Sequence, residues 1–235
     1  MQTHIDHLVI AARTLDEGVQ WCEATLGITP GPGGEHALYG THNRLFKIAT
    51  PTYPLAYLEI IAVDPQARRP ATATGRRWFD LDDPALQAAL TQGPRLVHVV
   101  AGTTDIAAAC AAWQACGIDR GPVVAASRPS PQGLLQWRIT VREDGQRLFG
   151  GTLPTLIQWG APGDAEPLRL HPRNSLPRSR VSLQSLTALH PEATRLQAAF
   201  TAIGLAGITL RTGPVELVAT LRSPRGEVVL SSGGA

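Results

Sequence analysis

The sequence predicts an α+β protein built from repeated βαβββ modules, two of which form a curled mixed-sheet cup while a third module is degenerate. Three observations lead to this prediction. A strand-like segment, an amphipathic helix and a terminating glycine follow one another three times along the 235 residues. Several β-rich stretches follow each helix, and connectors rich in Pro, Arg and Gly separate the three units. Modules of this kind cover one face of a sheet with a helix and leave the other face open.

The first module begins with a strand over His4–Ala12, where the side chains alternate in character. Thr14, Asp16 and Glu17 suit the opening of a helix and Gly27 suits its end, and apolar residues recur between them at helical spacing. Strand-like stretches follow at His42–Thr50 and Ala56–Val63. The order is therefore strand, helix and further strands.

The second module repeats this order. A strand is predicted over Arg95–Ala101, and the next helix ends at Gly117. The strands that follow are Val123–Ser127, Leu134–Val141 and Leu153–Trp159.

The third module starts at Val181–Leu189, and Pro191 suits the first turn of its helix. Gly204 ends that helix. The later strands are Ile208–Arg211, Val215–Arg222 and Glu227–Ser231.

These elements predict five segments. Pro84, preceded by a capping Asp83, starts a short helix in the first connector. The predicted division is a module at 1–63, a connector at 64–94, a second module at 95–160, a linker at 161–179 and a third, degenerate module at 180–235.

Composition disfavours several classes of partner. The 21 basic and 19 acidic residues give a net charge of +2 without a basic stripe, so we expect no nucleic-acid partner. No stretch approaches the roughly 18 apolar residues of a membrane span, and the N-terminus lacks a signal-peptide pattern. We therefore expect a cytoplasmic protein without membrane association. The three cysteines form no CxxC pair, which favours buried, free thiols.

Strand phase selects candidate site residues, because successive side chains of a strand point to opposite faces. In the first module, Leu8 and Ile10 are assigned to the helix side, which leaves His7 and Glu59 on the open face. The same reasoning leaves His98 on the open face of the second module. Gln158, Gln136 and Arg138 follow on that face, the last as a candidate grip for an anionic substrate. The apolar residues assigned to the helix side of the second module are Val97, Val99, Leu135, Trp137, Ile139, Val141, Ile157 and Trp159.

Four of these residues suit a metal ion. The imidazoles of His7 and His98, the carboxylate of Glu59 and the amide oxygen of Gln158 would hold a divalent ion and leave room for water or substrate. The ion could be Zn, Fe, Mn, Co, Ni or Mg. Such an ion makes a proton α to a carbonyl more acidic, with Glu59 as the candidate catalytic base, or binds oxygen if it is Fe(II).

The segments that carry these residues resemble the vicinal oxygen chelate superfamily. IDHLVIA and LVHVVA correspond to the first strands of its paired modules, and YLEIIAV and TLIQWG correspond to the last strands. The superfamily includes glyoxalase I, methylmalonyl-CoA epimerase, extradiol dioxygenases and bleomycin-resistance proteins. The stretch HALYGTHNRLFKIAT is more narrowly similar to bacterial glyoxalase-like domain proteins.

The resemblance implies that metal ligands come from the first and last strands, at the four positions already named. The set is similar to the two His, one Gln and one Glu of the epimerase, with Gln and Glu exchanged between modules. Gln158 stands where extradiol enzymes have their carboxylate, which disfavours that chemistry. The resemblance also implies that the pocket for a small-molecule substrate is lined by Thr41, Asn43, Arg44 and His36.

The sequence thus predicts a glyoxalase-like, metal-dependent lyase or isomerase that acts on a small oxygenated substrate by proton transfer. A metal-free protein that binds or sequesters small molecules in the same cup is the alternative, and an Fe(II) dioxygenase is a third. The third module could extend a sheet edge, cover the cup or form a homodimer. His171 and His190 are expected at the surface.

Overall fold

The computed structural model describes residues 1–68 and 75–233. Residues 69–74 of the predicted connector and residues 234–235 of the predicted third module lie outside the described part. The strands are β1 (Thr3–Ala11), β2 (Glu35–His36), β3 (Thr41–Lys47), β4 (Tyr57–Val63), β5 (Arg95–Thr103), β6 (Val123–Ser130), β7 (Gly133–Thr140), β8 (Thr155–Trp159), β9 (Ser182–Leu189), β10 (Thr209–Arg211), β11 (Glu216–Ser223) and β12 (Gly226–Ser231). The helices are α1 (Leu15–Leu26), α2 (Pro84–Leu90), α3 (Ile106–Ala115), α4 (Pro172–Ser175) and α5 (Ala193–Ala202).

The first two modules share one sheet of eight strands, in the order β2-β3-β4-β1-β5-β8-β7-β6. The first strands of the two modules, β1 and β5, pair antiparallel at its centre. Each also pairs parallel with the last strand of its own module, β4 or β8. The sheet curls so far that Arg128 of β6, at one edge, donates a hydrogen bond to Gly33 O beside β2, at the other edge. The predicted fold class is confirmed.

The third module has the same chain order but a different sheet. Its strands lie in the order β10-β9-β11-β12, so β12 is an edge strand and does not pair with the module's first strand. Leu183 and Leu221 of this sheet share a core with Leu8 and Leu58 of the large sheet. The third module therefore covers the outer, helix-bearing side of the large sheet.

Local sequence explains where the helices begin and end. Thr14 Oγ1 accepts a hydrogen bond from Glu17 N at 3.2 Å, and Gly27 ends α1 in the left-handed conformation with a φ of 72°. Asp83 caps α2 as predicted, because its side chain accepts from Ala85 N at 2.7 Å. The helices of the described residues are too short or too polar to span a bilayer.

The strand-phase prediction is correct for the first module. Leu8, Ile10, Leu58 and Ile60 pack in the core that also contains Cys22 of α1. Their neighbours of the other phase point into the cup.

The strand-phase prediction is wrong for the later strands of the second module. Leu135, Trp137, Ile139, Ile157 and Trp159 face the inside of the cup and line its cavity. The apolar phase was assigned to the helix side, but the helix of this module, α3, makes its main contact with the sheet at β8. The polar phase of β7 faces outward.

Two histidines predicted at the surface are buried. His171 is 0% exposed and His190 is 7% exposed. The linker that carries His171 folds against the cup. A composition rich in Pro and Arg therefore does not mean that this segment is exposed.

Candidate active site

The inner face of the large sheet encloses a small cavity of about 40 Å³. Its polar lining comes from the first module, except for one arginine of β6. The polar lining residues are His7, His36, Asn43, Glu59 and Arg128. Half of the remaining lining residues are aromatic, namely Tyr57, Trp78, Phe79, Trp137 and Trp159, and the others are aliphatic. Two groups that can accept and return protons, an imidazole and a carboxylate, therefore lie in apolar surroundings.

His7 and Glu59 lie close together in this cavity. Their strands β1 and β4 are parallel neighbours, and Glu59 lies opposite Val9, two residues after His7. His7 Nε2 lies 3.6 Å from Glu59 Oε2, and both residues are 5% exposed. The imidazole stacks on the ring of Tyr57, with centroids 4.5 Å apart. The structure thus brings together the first-module half of the predicted set.

Asp6 orients the imidazole of His7 through its Nδ1 atom, on the side of the ring away from Glu59. Asp6 Oδ1 lies 2.7 Å from His7 Nδ1, which leaves Nε2 as the ring nitrogen on the side of Glu59. Asp6 Oδ2 accepts from Trp159 Nε1 at 2.9 Å and lies 3.1 Å from His171 Nε2. Burial alone would raise the pKa of Asp6, but the charges and hydrogen bonds of His171 and His7 outweigh it and hold this pKa well below its usual range. Asp6 is therefore a buried anion.

Glu59 is held by a side chain of the neighbouring strand. Asn43 Nδ2 donates to Glu59 Oε1 at 2.5 Å, and Asn43 Oδ1 accepts from Gly34 N at 2.8 Å. His36 lies beside Asn43 and contacts Thr41 Oγ1 at 3.1 Å. Burial, aided by the positive charges of Arg128 and the nearby histidines, lowers the pKa of His36 to about 3. His36 is therefore neutral near pH 7.

Two stacked rings lie against the cavity from the connector before α2. The rings of Trp78 and Phe79 stack with centroids 5.0 Å apart, and Tyr39 stacks on Trp78 at 4.1 Å. Phe79 and Asp80 both have left-handed backbones, with φ values of 59° and 58°. Such conformations cost about 1–2 kcal/mol for residues other than glycine. The ion pair between Asp80 Oδ2 and Arg147 Nε, at 2.8 Å, helps to hold them.

His98 lies on the same side of the sheet as His7 but outside the cavity lining. Its ring lies 5.2 Å from that of Phe79. Nδ1 donates to Gly151 O at 3.0 Å, and Nε2 accepts from Thr155 N at 3.1 Å. Burial and the charge of Arg120 lower the pKa of His98 well below its ordinary value. Both ring nitrogens of this neutral histidine are thus occupied by protein groups.

Gln158 lies on the opposite face of the sheet. It pairs with Arg138 across β7 and β8, while its neighbours Ile157 and Trp159 face the cavity. Its Oε1 accepts from Ile106 N, at the start of α3, at 2.9 Å. The side chain therefore helps to cap a helix, and the structure does not bring it to His7.

The structure brings some of the six predicted substrate residues to the cavity and leaves the others outside it. Asn43 and His36 line the cavity, and buried Thr41 contacts His36. Arg44 and Gln136 are exposed, and Arg138 lies on the outer face. The phase error described above accounts for Gln136 and Arg138.

The positions of the four predicted ligands show whether they could together hold one metal ion. His98 has no free ring nitrogen and Gln158 points away, so the four side chains do not surround one point. Among residues 1–68 and 75–233, no group of three or more His, Cys, Asp or Glu side chains is placed to hold an ion. The predicted set does not fit as arranged, and metal binding stays a prediction.

Sequence reasoning missed several residues of this site, above all Asp6. Strict alternation places Asp6 on the face opposite His7. The pairing of β1 with β5 shifts between Ile5 and His7, and such a bulge redirects a side chain. An aspartate directly before a candidate histidine, within a predicted strand, was the available signal. No pattern in the sequence indicated that Arg128 or Trp78 reaches the cavity.

The sequence pattern of the glyoxalase-like domain family matches residues 5–204. No curated protein sequence matches the chain at a significant level. A hypothetical protein from Staphylococcus aureus is similar in structure, with a TM-score of 0.59 and 15% identity over 98% of this chain and 85% of that one.

Two epimerases are also similar, more distantly. Methylmalonyl-CoA epimerase of Streptomyces coelicolor, in complex with 2-nitronate-propionyl-CoA, has a TM-score of 0.42 and 22% identity over 68% of this chain and 97% of that one. The epimerase of Mycobacterium tuberculosis has a TM-score of 0.35 and 18% identity over 66% and 85%. The match of the family pattern over residues 5–204, on a curled sheet built from two βαβββ modules, means that this chain belongs to the glyoxalase-like domain family.

Proposed function

We propose that this protein is an enzyme of isomerase type that moves a proton at a carbon next to a carbonyl group of a small oxygenated substrate. The observation that carries the proposal is the pair of His7 Nε2 and Glu59 Oε2, 3.6 Å apart in a small cavity with aromatic walls. A group of this pair can remove the α-proton as a base and, as the conjugate acid it then becomes, return that proton to the substrate.

The surrounding residues support the two roles. The anion of Asp6 fixes His7 with Nδ1 protonated, so Nε2 is free to accept a proton and then to donate it. Asn43 positions the carboxylate of Glu59. The aromatic and aliphatic part of the wall lowers the local dielectric constant, which strengthens the electrostatic interactions of both groups with a reacting substrate.

Trp78 offers a donor for the oxygen on which negative charge develops. Its Nε1 is buried and has no hydrogen-bond partner among the described residues. A donor placed beforehand at such an oxygen stabilises an enolate more than the neutral carbonyl, and therefore lowers the barrier.

Proton exchange in D₂O tests the proposal. The wild-type protein is incubated with 2-oxo acids, 2-hydroxy ketones and acyl thioesters, and loss of the α-proton signal is followed by NMR. We expect exchange with one class, and a loss of roughly 10²- to 10⁴-fold in His7→Ala and in Glu59→Gln. Arg222→Gln, an exposed residue of the third module, is the matched control. Exchange at the wild-type rate in both site variants would contradict the assignment.

A metal-free binding protein is the second candidate. The observation that favours it is the number of aromatic rings around the cavity, because such walls suit flat apolar ligands. This alternative predicts thermal stabilisation by small aromatic compounds, with no exchange of any substrate class and no stoichiometric metal.

A further inference from the structure

We propose that Arg128 binds the carboxylate of a substrate whose apolar part occupies a second cavity, which makes apolar carboxylic acids the ligand class of this site. The inference rests on the proposed function for the identity of the inner site. The second cavity and Arg128 were not part of the predicted substrate site.

The two cavities meet at a common wall. Leu45, Arg128, Leu135 and Pro172 line both of them. The outer cavity has a volume of about 250 Å³, against about 40 Å³ for the inner one. Only a small part of a substrate therefore fits beside His7, and the rest has to extend past Arg128.

Arg128 carries a positive charge at this junction. Among the described residues no carboxylate forms an ion pair with it, and its Nη1 donates to Gly33 O at 3.2 Å. A guanidinium has five N–H donors in a planar fork that matches a carboxylate, so donors remain for a ligand. Its charge also reaches the inner cavity, where it contributes to the lowered pKa of His36.

The glycine loop before β2 fixes the position of the guanidinium. A Cβ atom on Gly34 would lie 1.8 Å from Arg128 Nη1, so the loop backbone and the side chain are in close contact only because this residue is glycine. Gly34 does not need the left-handed conformation. Alanine is therefore compatible with the backbone there but has to displace Arg128.

The outer cavity has many apolar side chains around the arginine, beside the polar Ser130, Gln132 and Ser175. Leu45, Leu135, Leu170 and Leu176 contribute to its wall, together with several prolines. A ligand that uses both features has one anionic group and an alkyl or aryl portion. Carboxylic acids with an apolar substituent meet both requirements.

Calorimetric titration with two matched probes, 4-phenylbutyrate and its neutral amide, tests the inference. We expect wild-type protein and the Arg222→Gln control to bind the carboxylate roughly tenfold to a hundredfold more tightly than the amide. Arg128→Gln and Gly34→Ala should remove this preference. Gly34→Ala leaves Arg128 in the sequence, so it gives a second reading if Arg128→Gln fails to fold.

Equal affinity of the wild type for the two probes overturns the inference, as does no binding of either probe or a preference that persists in Arg128→Gln. The same titration with Glu59→Gln separates this result from the catalytic proposal. Carboxylate binding in that variant supports the role of Arg128 whether or not the wild type exchanges protons.

Discussion

Asp6 shows how one side chain can organise several others. It is fully buried and anionic, and it contacts His7, His171 and Trp159 through two oxygens. Each of these three groups belongs to a different segment: β1, the linker after β8, and β8 itself. Asp6 therefore links the site to the second module and to the linker.

Asp6→Asn should reduce the proposed proton exchange and destabilise the fold. The amide nitrogen of Asn cannot accept the bonds that the replaced oxygen accepts, so at least one buried donor loses its partner. We expect the free energy of unfolding to fall by about 1–3 kcal/mol. The measurement that separates positioning from mere stability is ¹⁵N NMR of the His7 ring. An unchanged His7 tautomer together with unchanged exchange would contradict the positioning role.

His98 and His7 should respond differently to replacement by alanine. His98→Ala leaves Gly151 O and Thr155 N without their partner, so we expect a loss of about 2–4 kcal/mol in unfolding free energy. Any metal that the wild type retains should persist in His98→Ala and fall in His7→Ala. Urea denaturation and elemental analysis of untagged protein measure the two effects. Equal retention of metal by both variants would exclude His7 as a ligand.

At the scale of elements, the side-chain directions of the first module were predictable because its helix covers the strands whose alternation was used for the prediction. β4 and β1 have one apolar face toward α1 and a second face toward the cup. Periodicity separates two faces but does not say which of them a helix covers. In the second module α3 packs mainly on β8, so the same pattern was assigned to the wrong faces and Gln158 was placed in the cup.

The contact between α1 and β4 gives a prediction for Gly18→Ala. A Cβ atom at Gly18 would lie 2.4 Å from Ile60 Cγ2, a buried atom of a stiff side chain. Alanine gains about 1 kcal/mol in helix propensity, but the overpacking costs about 1–3 kcal/mol. We expect net destabilisation, measured by urea denaturation. The double variant with Ile60→Ala should show coupling, whereas additive effects would mean that the two residues do not clash.

At the scale of the whole molecule, the repeat in sequence predicted three modules and the shared sheet of two. It did not predict the strand order of the third module, because pairing depends on which edges are free after packing. The place of the linker was equally hidden, since its contacts with Asp6 and the cavity are made with residues distant in sequence.

Stability should fall as the pH falls below neutrality. The folded pKa values of His36 and His98 lie below the ordinary value of about 6.5. Between the unfolded and folded values the unfolded state binds more protons, so the free energy of unfolding decreases as the pH falls. Each such histidine contributes at most about 1.4 kcal/mol per pH unit in that window. Urea denaturation at pH 7 and pH 5 measures the slope.

His36→Asn should make this slope shallower, because one of the two neutral histidines is then absent. A slope of zero in the wild type would contradict the lowered values.

The left-handed backbone at Phe79 and Asp80 has a consequence for access to the cup. The present position of the Trp78 and Phe79 rings requires backbone strain, because Phe79 and Asp80 have left-handed dihedral angles. That strain is released when the two residues return to ordinary dihedral angles. Moving the rings outward therefore costs less free energy than exposure of two aromatic side chains alone would require. Ligand entry would then depend on an equilibrium between a form with the rings inside and a form with the rings outside. The free-energy difference between these forms is smaller than the burial of the rings alone suggests.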